Sequence, residues 1–128
     1  MSKKPLILGI ESSCDETAAS LITENEQGIP IILSNIISSQ VEVHKEFGGV
    51  VPELAARSHM EKIDWIVEKA INDSGRKIEE IDAVASTAGP GLIVCLSVGL
   101  SFGKAFASAI NKPFIAVSYT HLTLPTKA

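Results

Sequence analysis

Apolar and polar positions fall into a short succession of blocks. Leu6 to Ile10 is a continuous apolar run, the polar cluster Glu11-Ser12-Ser13-Cys14-Asp15-Glu16-Thr17 breaks it, and Ala18 to Ile22 is apolar again. That succession predicts two strands joined by a polar hairpin. Glu24-Asn25-Glu26-Gln27-Gly28 has turn composition. Ile29 to Ile37, rich in β-branched residues, predicts a third strand with Pro30 at its start, where a missing N–H is tolerated. Three consecutive strands with tight connections predict an antiparallel meander.

Beyond the polar stretch Ser38 to Glu46 and the pair Gly48-Gly49, Pro52 opens a run in which Leu54, Ile63, Ile66, Val67, Ala70 and Ile71 recur mainly at three- and four-residue spacing. This predicts an amphipathic helix from Pro52 to Asp73, with Pro52 suited to its first turn and Gly75 to its end. A short acidic turn leads to a strand over Ala83 to Thr87. Ala88-Gly89-Pro90-Gly91 then punctuates the chain ahead of a second helix from Leu92 to Ile110, and Pro113 to Val117 is a final strand. Gly99 and Gly103 lie four apart on one face of the second helix, which predicts close packing on a sheet. The order β-β-β-α-β-α-β, with right-handed crossovers, places the last two strands parallel to the first. The expected fold class is α/β: a mixed five-stranded sheet with flanking helices, the layout of a ribonuclease-H-like or actin-like ATPase lobe.

Composition narrows the function. A length of 128 residues suits one domain, and a net charge of −4 excludes holding nucleic acid by charge alone. The stretch from Ala83 to Phe102 carries no charge, but its Gly89, Pro90, Gly91 and hydroxyls argue against a membrane span. The first apolar run stops at Glu11, too short for a secretory signal, so a cytoplasmic location is expected. Cys14 and Cys95 lie far apart, which suggests neither a disulfide framework nor a thiolate zinc site. Cys95 reads as a core residue of a helix and Cys14 as an inert loop thiol.

The cluster Glu11 to Thr17 brings three carboxylates and three hydroxyls to the ends of two apolar strands. Carboxylates so close together can hold a cation or act as a base, and Ser12, Ser13 and backbone N–H groups can bind phosphate or carbonyl oxygens. A solvated acidic turn has the same composition, and spacing alone leaves both readings open. Gly89-Pro90-Gly91 ahead of a helix can present N–H groups to an anion. It matches neither G-x-x-x-x-G-K-[ST] nor G-x-G-x-x-G, and a turn that needs two glycines for its shape accounts for it equally. His44 and His59 are fifteen residues apart without ligand spacing, and His59, near Arg57 and Glu61, is expected at the surface. Ala56, Met60 and Trp65 lie off the sheet-facing stripe of the first helix, which leaves part of that helix apolar toward solvent.

Taken together, Leu8-Gly9-Ile10-Glu11-Ser12-Ser13-Cys14-Asp15-Glu16-Thr17, Glu46-Phe47-Gly48-Gly49-Val50-Val51-Pro52-Glu53-Leu54-Ala55-Ala56-Arg57-Ser58-His59 and Thr87-Ala88-Gly89-Pro90-Gly91-Leu92 resemble the amino-terminal lobe of the tRNA adenosine threonylcarbamoyltransferase family. The resemblance covers about Pro5 to Val117. It implies an actin-like fold and transfer of a threonylcarbamoyl group from threonylcarbamoyl-adenylate to N6 of adenosine 37, in tRNAs that read codons starting with A. On this analogy Ser13, Asp15 and Glu16 are the candidate catalytic residues: Ser13 to hydrogen-bond the carbamoyl group, Asp15 or Glu16 to orient or deprotonate the attacking amine. Glu11, Gly89, Pro90 and Gly91 are the candidate cofactor-binding residues. The implied partners are tRNA, a non-catalytic paralogue of the same fold docking through the helix Pro52 to Asp73, and an accessory ATPase, with no membrane.

The family also implies a divalent metal, iron or zinc, held partly by His-x-x-x-His after the last strand. By register those histidines belong at positions 119 and 123, which here are Tyr119 and Thr123, with His121 between them. The segment 118–128 is therefore read as a frameshifted or adaptor-like tail on a lobe spanning 1–117. The chain by itself, without those ligands and a second lobe, is expected to be inactive. Two other readings stay open: a non-catalytic paralogue of the same fold, and an actin-like-fold small-molecule kinase.

Overall fold

The computed structural model describes residues 4–12, 16–39, 52–91 and 93–118. Ser13, Cys14, Asp15, His44, Gly48, Gly49 and the segment 119–128 lie outside the described residues. Three strands, β1 (Ile7–Glu11), β2 (Glu16–Glu24) and β3 (Pro30–Ser39), run as an antiparallel meander. Asn25 makes the β2–β3 turn: its side-chain Oδ1 accepts from the N–H groups of Gln27 at 2.8 Å and Ile29 at 3.0 Å, as turn asparagines do. β4 (Ala83–Gly89) then pairs parallel to β1, and β5 (Phe114–Ser118) parallel to β4, giving the order β3-β2-β1-β4-β5.

Among the described residues are two α-helices, α1 (Pro52–Ser74) and α2 (Ile93–Ala109), and a short 3-10 turn, Ile78–Glu80, ahead of β4. Gly75, at φ 74°, ends α1 as its position in the sequence predicts. The five strands and two helices fall where the hydrophobic pattern places them, with ends shifted by at most two residues. Among the described residues no helix is long and apolar enough to cross a membrane.

Strand parity decides which side chains the helices cover. Leu8 and Ile10 of β1, Thr17, Ala19 and Leu21 of β2, and Val84 and Ser86 of β4 are buried on one face. Against that face α1 lays Ile63, Ile66, Val67 and Ala70, and α2 lays Leu96 and Ala107; Cys95 is fully buried in α2, as expected. The close approach of α2 depends on two glycines. A Cβ on Gly99 would lie 2.5 Å from Ser12 Oγ, and one on Gly103 would press on Ser86 Oγ and lie 2.6 Å from the Phe114 ring. The opposite face, with Gly9, Glu11, Ala18, Ser20, Ala85, Thr87 and Val117, carries no helix among the described residues.

Candidate active site

The carboxyl ends of β1, β4 and β5 and the first residue of β2 meet at one end of the sheet. In α/β sheets the crevice outside the carboxyl ends of parallel strands is where ligands bind, because no ladder fills the space beyond the last residue pair. Glu11 ends β1 on the uncovered face. Its Oε2 accepts a hydrogen bond of 2.9 Å from Thr87 Oγ1, which the parallel register of β1 and β4 places beside it. The two residues line an open cavity of about 260 Å³ together with Gly9, Ala18, Ser20, Ala85 and Val117. A carboxylate fixed by a hydroxyl at the mouth of a cavity is a suitable acceptor for a ribose hydroxyl, an amine or a hydrated cation.

Glu16 opens β2, and its side chain is exposed. Because Glu11 pairs with Ala18, Glu16 stands two residues beyond the last β1 pair, at the same sheet end. Gly89 closes β4 opposite Ser118, and Pro90 and Gly91 are exposed ahead of α2. The Gly89–Pro90 peptide bond is cis. Of the seven candidate site residues, the fold thus gathers Glu11, Glu16, Gly89, Pro90 and Gly91 at one edge. Ser13 and Asp15, in the connection between Glu11 and Glu16, lie outside the described residues.

Two expectations are corrected. Ser12 does not face a ligand: it is 1% exposed, its Oγ donates to the Cys95 carbonyl at 2.7 Å and accepts from the Gly99 N–H at 3.0 Å. Those are the two backbone groups that an α-helix pairs with each other, so Ser12 fastens the end of β1 to a rung of α2. Ser86 Oγ donates to the Gly99 carbonyl at 3.0 Å, and the glycine is gripped from both strands. His59 is not at the surface either. It is fully buried, its Nδ1 hydrogen-bonded to Thr17 Oγ1 at 2.5 Å. Its spacing of four from Ile63 puts it on the sheet-facing stripe of α1.

Sequence reasoning missed Thr87, Thr17 and Ser86 as partners, and the signal that finds them is strand parity. Glu11 and Thr87 share the open face with Gly9 and Ala85, while Ser12, Thr17 and Ser86 continue the buried series of Leu8, Ala19 and Val84. Among the described residues no group of three or more His, Cys, Asp or Glu side chains could hold a metal ion.

Comparison with known proteins bears on family and on fold. The model of the family described as TsaD, tRNA N6-adenosine threonylcarbamoyltransferase, matches residues 31–126. A curated relative of that name from Pelagibacter ubique is 78% identical over 119 residues, covering 93% of this chain and 33% of the relative. Another of the same name from Brucella canis is 55% identical over 113 residues, covering 88% of this chain and 32% of the relative. The chain therefore spans about a third of the length of the curated relatives it matches. Among solved structures, YeaZ from Pseudomonas aeruginosa superposes with a TM-score of 0.64 at 18% identity, over 89% of this chain and 43% of that one. T. thermophilus RuvC, solved with a Holliday junction substrate, gives 0.55 at 13% identity, over 88% of this chain and 65% of that one. At such identities the likeness is one of fold, and it agrees with the ribonuclease-H-like or actin-like lobe read from the element order.

Proposed function

The chain belongs to the tRNA N6-adenosine threonylcarbamoyltransferase family, and on that premise we propose that it forms the amino-terminal lobe of an enzyme that transfers threonylcarbamoyl from threonylcarbamoyl-adenylate to N6 of adenosine 37 in tRNAs reading codons that start with A. The observation that carries the proposal is the meeting of Glu11, Glu16 and Gly89-Pro90-Gly91 at one sheet end, beside an open cavity. Attack by the exocyclic amine on the carbamoyl carbon forms the N–C bond, breaks the C–O bond to the adenylate phosphate and releases AMP, and it needs donors for the carbonyl oxygen and an acceptor for the amine proton. In this proposal Ser13 donates to the carbamoyl oxygen, and Asp15 or Glu16 orients or deprotonates the amine. Glu11, held by Thr87, and the N–H groups of the turn at Gly89 to Gly91 bind the adenylate. The divalent metal of the family, iron or zinc, would bind at residues other than those described.

The partners in this proposal are tRNA, an accessory ATPase and a non-catalytic paralogue of the same fold; the place of action is the cytoplasm. The paralogue docks through α1, which leaves Met60 65% and Trp65 49% exposed. Large apolar side chains of these types are enriched in interface cores. The net charge of −4 suits that arrangement, since tRNA binding then draws on basic surface outside this lobe.

The test uses a full-length chain built by grafting residues 1–117 in place of the matching segment of the Pelagibacter ubique relative. Asp15→Ala and Glu16→Ala are expected to lower threonylcarbamoyl transfer by about 10²- to 10⁴-fold, as the loss of a positioned base or orienting carboxylate does. Their stability is expected to change by less than about 0.5 kcal/mol, as at any solvated carboxylate. Near-parental rates in both variants would make the segment an ordinary polar turn.

A further inference from the structure

Glu11 and Ser12 are neighbours at the carboxyl end of β1, and Ser86 and Thr87 are neighbours on β4. The parallel register sets Ile10 opposite Ser86, so the two neighbour pairs lie side by side. Successive residues of a strand point to opposite faces of the sheet. On the open face Thr87 Oγ1 donates to Glu11 Oε2. On the covered face Ser12 and Ser86, each 1% exposed, both bond to the backbone of Gly99 in α2: Ser12 Oγ accepts from its N–H at 3.0 Å, and Ser86 Oγ donates to its carbonyl at 3.0 Å.

The helix does not need these hydroxyls. The Cys95 carbonyl and the Gly99 N–H that Ser12 bonds are the two ends of one helical rung, which an α-helix satisfies by itself. An alanine at either position would avoid the cost of burying a hydroxyl. What the hydroxyls add is a fixed separation, because a hydrogen bond holds a narrow range of length and angle where an apolar contact can slide. The same helix begins two residues after Gly91, so it also carries the turn Gly89-Pro90-Gly91. Both parts of the proposed adenylate cradle, the Glu11–Thr87 pair and that turn, are thereby tied to one point, the Gly99 rung of α2.

On the basis of the transfer function and the adenylate contacts proposed above, we infer that Ser12 and Ser86 are positioning residues for adenylate binding. They act from the covered face of the sheet, holding the ends of β1 and β4 against α2 so that Glu11 and Thr87 keep their place relative to the turn. Groups that hold a substrate in a reacting geometry tolerate displacements of about 1 Å poorly, with losses on the order of 10²-fold even when the change is remote from the chemistry.

The experiment uses the same grafted full-length chain and compares Ser12→Ala, Ser86→Ala and Ser34→Ala by steady-state kinetics and thermal melting. Ser34 is the control for a merely structural loss: it too is a buried serine whose hydroxyl donates to a helix carbonyl, that of Ala70, but it stands on β3, two strands away from Glu11. KM for threonylcarbamoyl-adenylate is expected to rise about 10-fold in Ser12→Ala and in Ser86→Ala, with kcat within about threefold and KM for tRNA within about twofold of the parent. Ser34→Ala is expected to lower the melting temperature as Ser86→Ala does and to leave both KM values at the parental level. A parental KM for the adenylate in a folded Ser12→Ala or Ser86→Ala chain, or an equal rise in Ser34→Ala, would overturn the inference. Failure of both Ser12→Ala and Ser86→Ala to fold would overturn it as well and make the hydroxyls plain structural supports. An unsubstituted graft that transfers nothing would instead sink the proposed function, and this inference with it.

Discussion

Replacing Gly99 by alanine sets two known effects against each other, and the structure says which wins. In an exposed helix interior the change stabilises by about 0.8–1.0 kcal/mol, since alanine loses less backbone entropy. At Gly99 the new methyl would lie 2.5 Å from Ser12 Oγ and 3.4 Å from Ile10 Cγ2 and Ser12 Cβ. Something must move, and the nearest atom is a hydroxyl already bonded to the Cys95 carbonyl and the Gly99 N–H. Displacing it forfeits two buried hydrogen bonds at about 1 kcal/mol each, and moving α2 outward instead incurs an overpacking strain of about 1–3 kcal/mol. After the propensity gain is subtracted, Gly99→Ala is expected to destabilise by about 1 kcal/mol, and by no more than about 2 kcal/mol. Urea unfolding followed by circular dichroism reads this as a lower midpoint at unchanged slope, and a thermal scan as a Tm roughly 3 °C or more lower. Adding Ser12→Ala removes the obstructing hydroxyl, so the double variant is expected to lose less than the sum of the singles. A Gly99→Ala chain with a raised Tm would refute the close approach of α2 to the end of β1.

Ser34 Oγ is buried and donates to the Ala70 carbonyl at 2.6 Å, so Ser34→Ala is expected to cost about 1 kcal/mol in the same urea assay. In the grafted full-length chain, Thr87→Val removes the hydroxyl that donates to the Glu11 carboxylate and is expected to weaken binding of the adenylate, read as a higher KM for threonylcarbamoyl-adenylate with stability changed by less than about 1 kcal/mol. Met60→Asp with Trp65→Lys is expected to leave the chain folded and to abolish association with the paralogue; light scattering that shows an unchanged complex would remove α1 from the interface. The Lys4 ammonium, bonded to Glu26 at 2.7 Å, holds the Glu26 carboxyl below its ordinary 4.5. Its small contribution to stability is present above that value and is lost as pH falls through the lowered one, so Glu26→Gln is expected to flatten only this acid limb, and only at low salt.

The hydrophobic pattern makes the sheet and both helices legible because each strand is covered on one face and each helix keeps its apolar stripe. The close approach of α2 was legible too, from the four-residue spacing of Gly99 and Gly103. Polar residues were harder to assign. Ser12 and Glu11 are neighbours of similar polarity, yet one faces α2 and the other the cavity, and only parity with Leu8 and Ile10 separates them. His59 reads as a surface residue when judged by its charged neighbours in sequence, and as a buried one when its position is counted four residues back from Ile63. The Glu11–Thr87 pair depends on the parallel register of β1 with β4, 76 residues away, and no local pattern contains that information.

If this lobe supplies the donor-side edge of a threonylcarbamoyl transferase, the grafted full-length chain modifies tRNA. Unmodified tRNA, threonylcarbamoyl-adenylate and the accessory partners would be incubated with it, and N6-threonylcarbamoyladenosine in the digested tRNA measured by mass spectrometry. Product is expected at adenosine 37 at a rate within about tenfold of the parent relative, a barrier difference of about 1.4 kcal/mol or less. A folded graft that leaves adenosine 37 unmodified, while transferring phosphate from ATP to a small alcohol or acid, would contradict it and make the lobe part of a kinase.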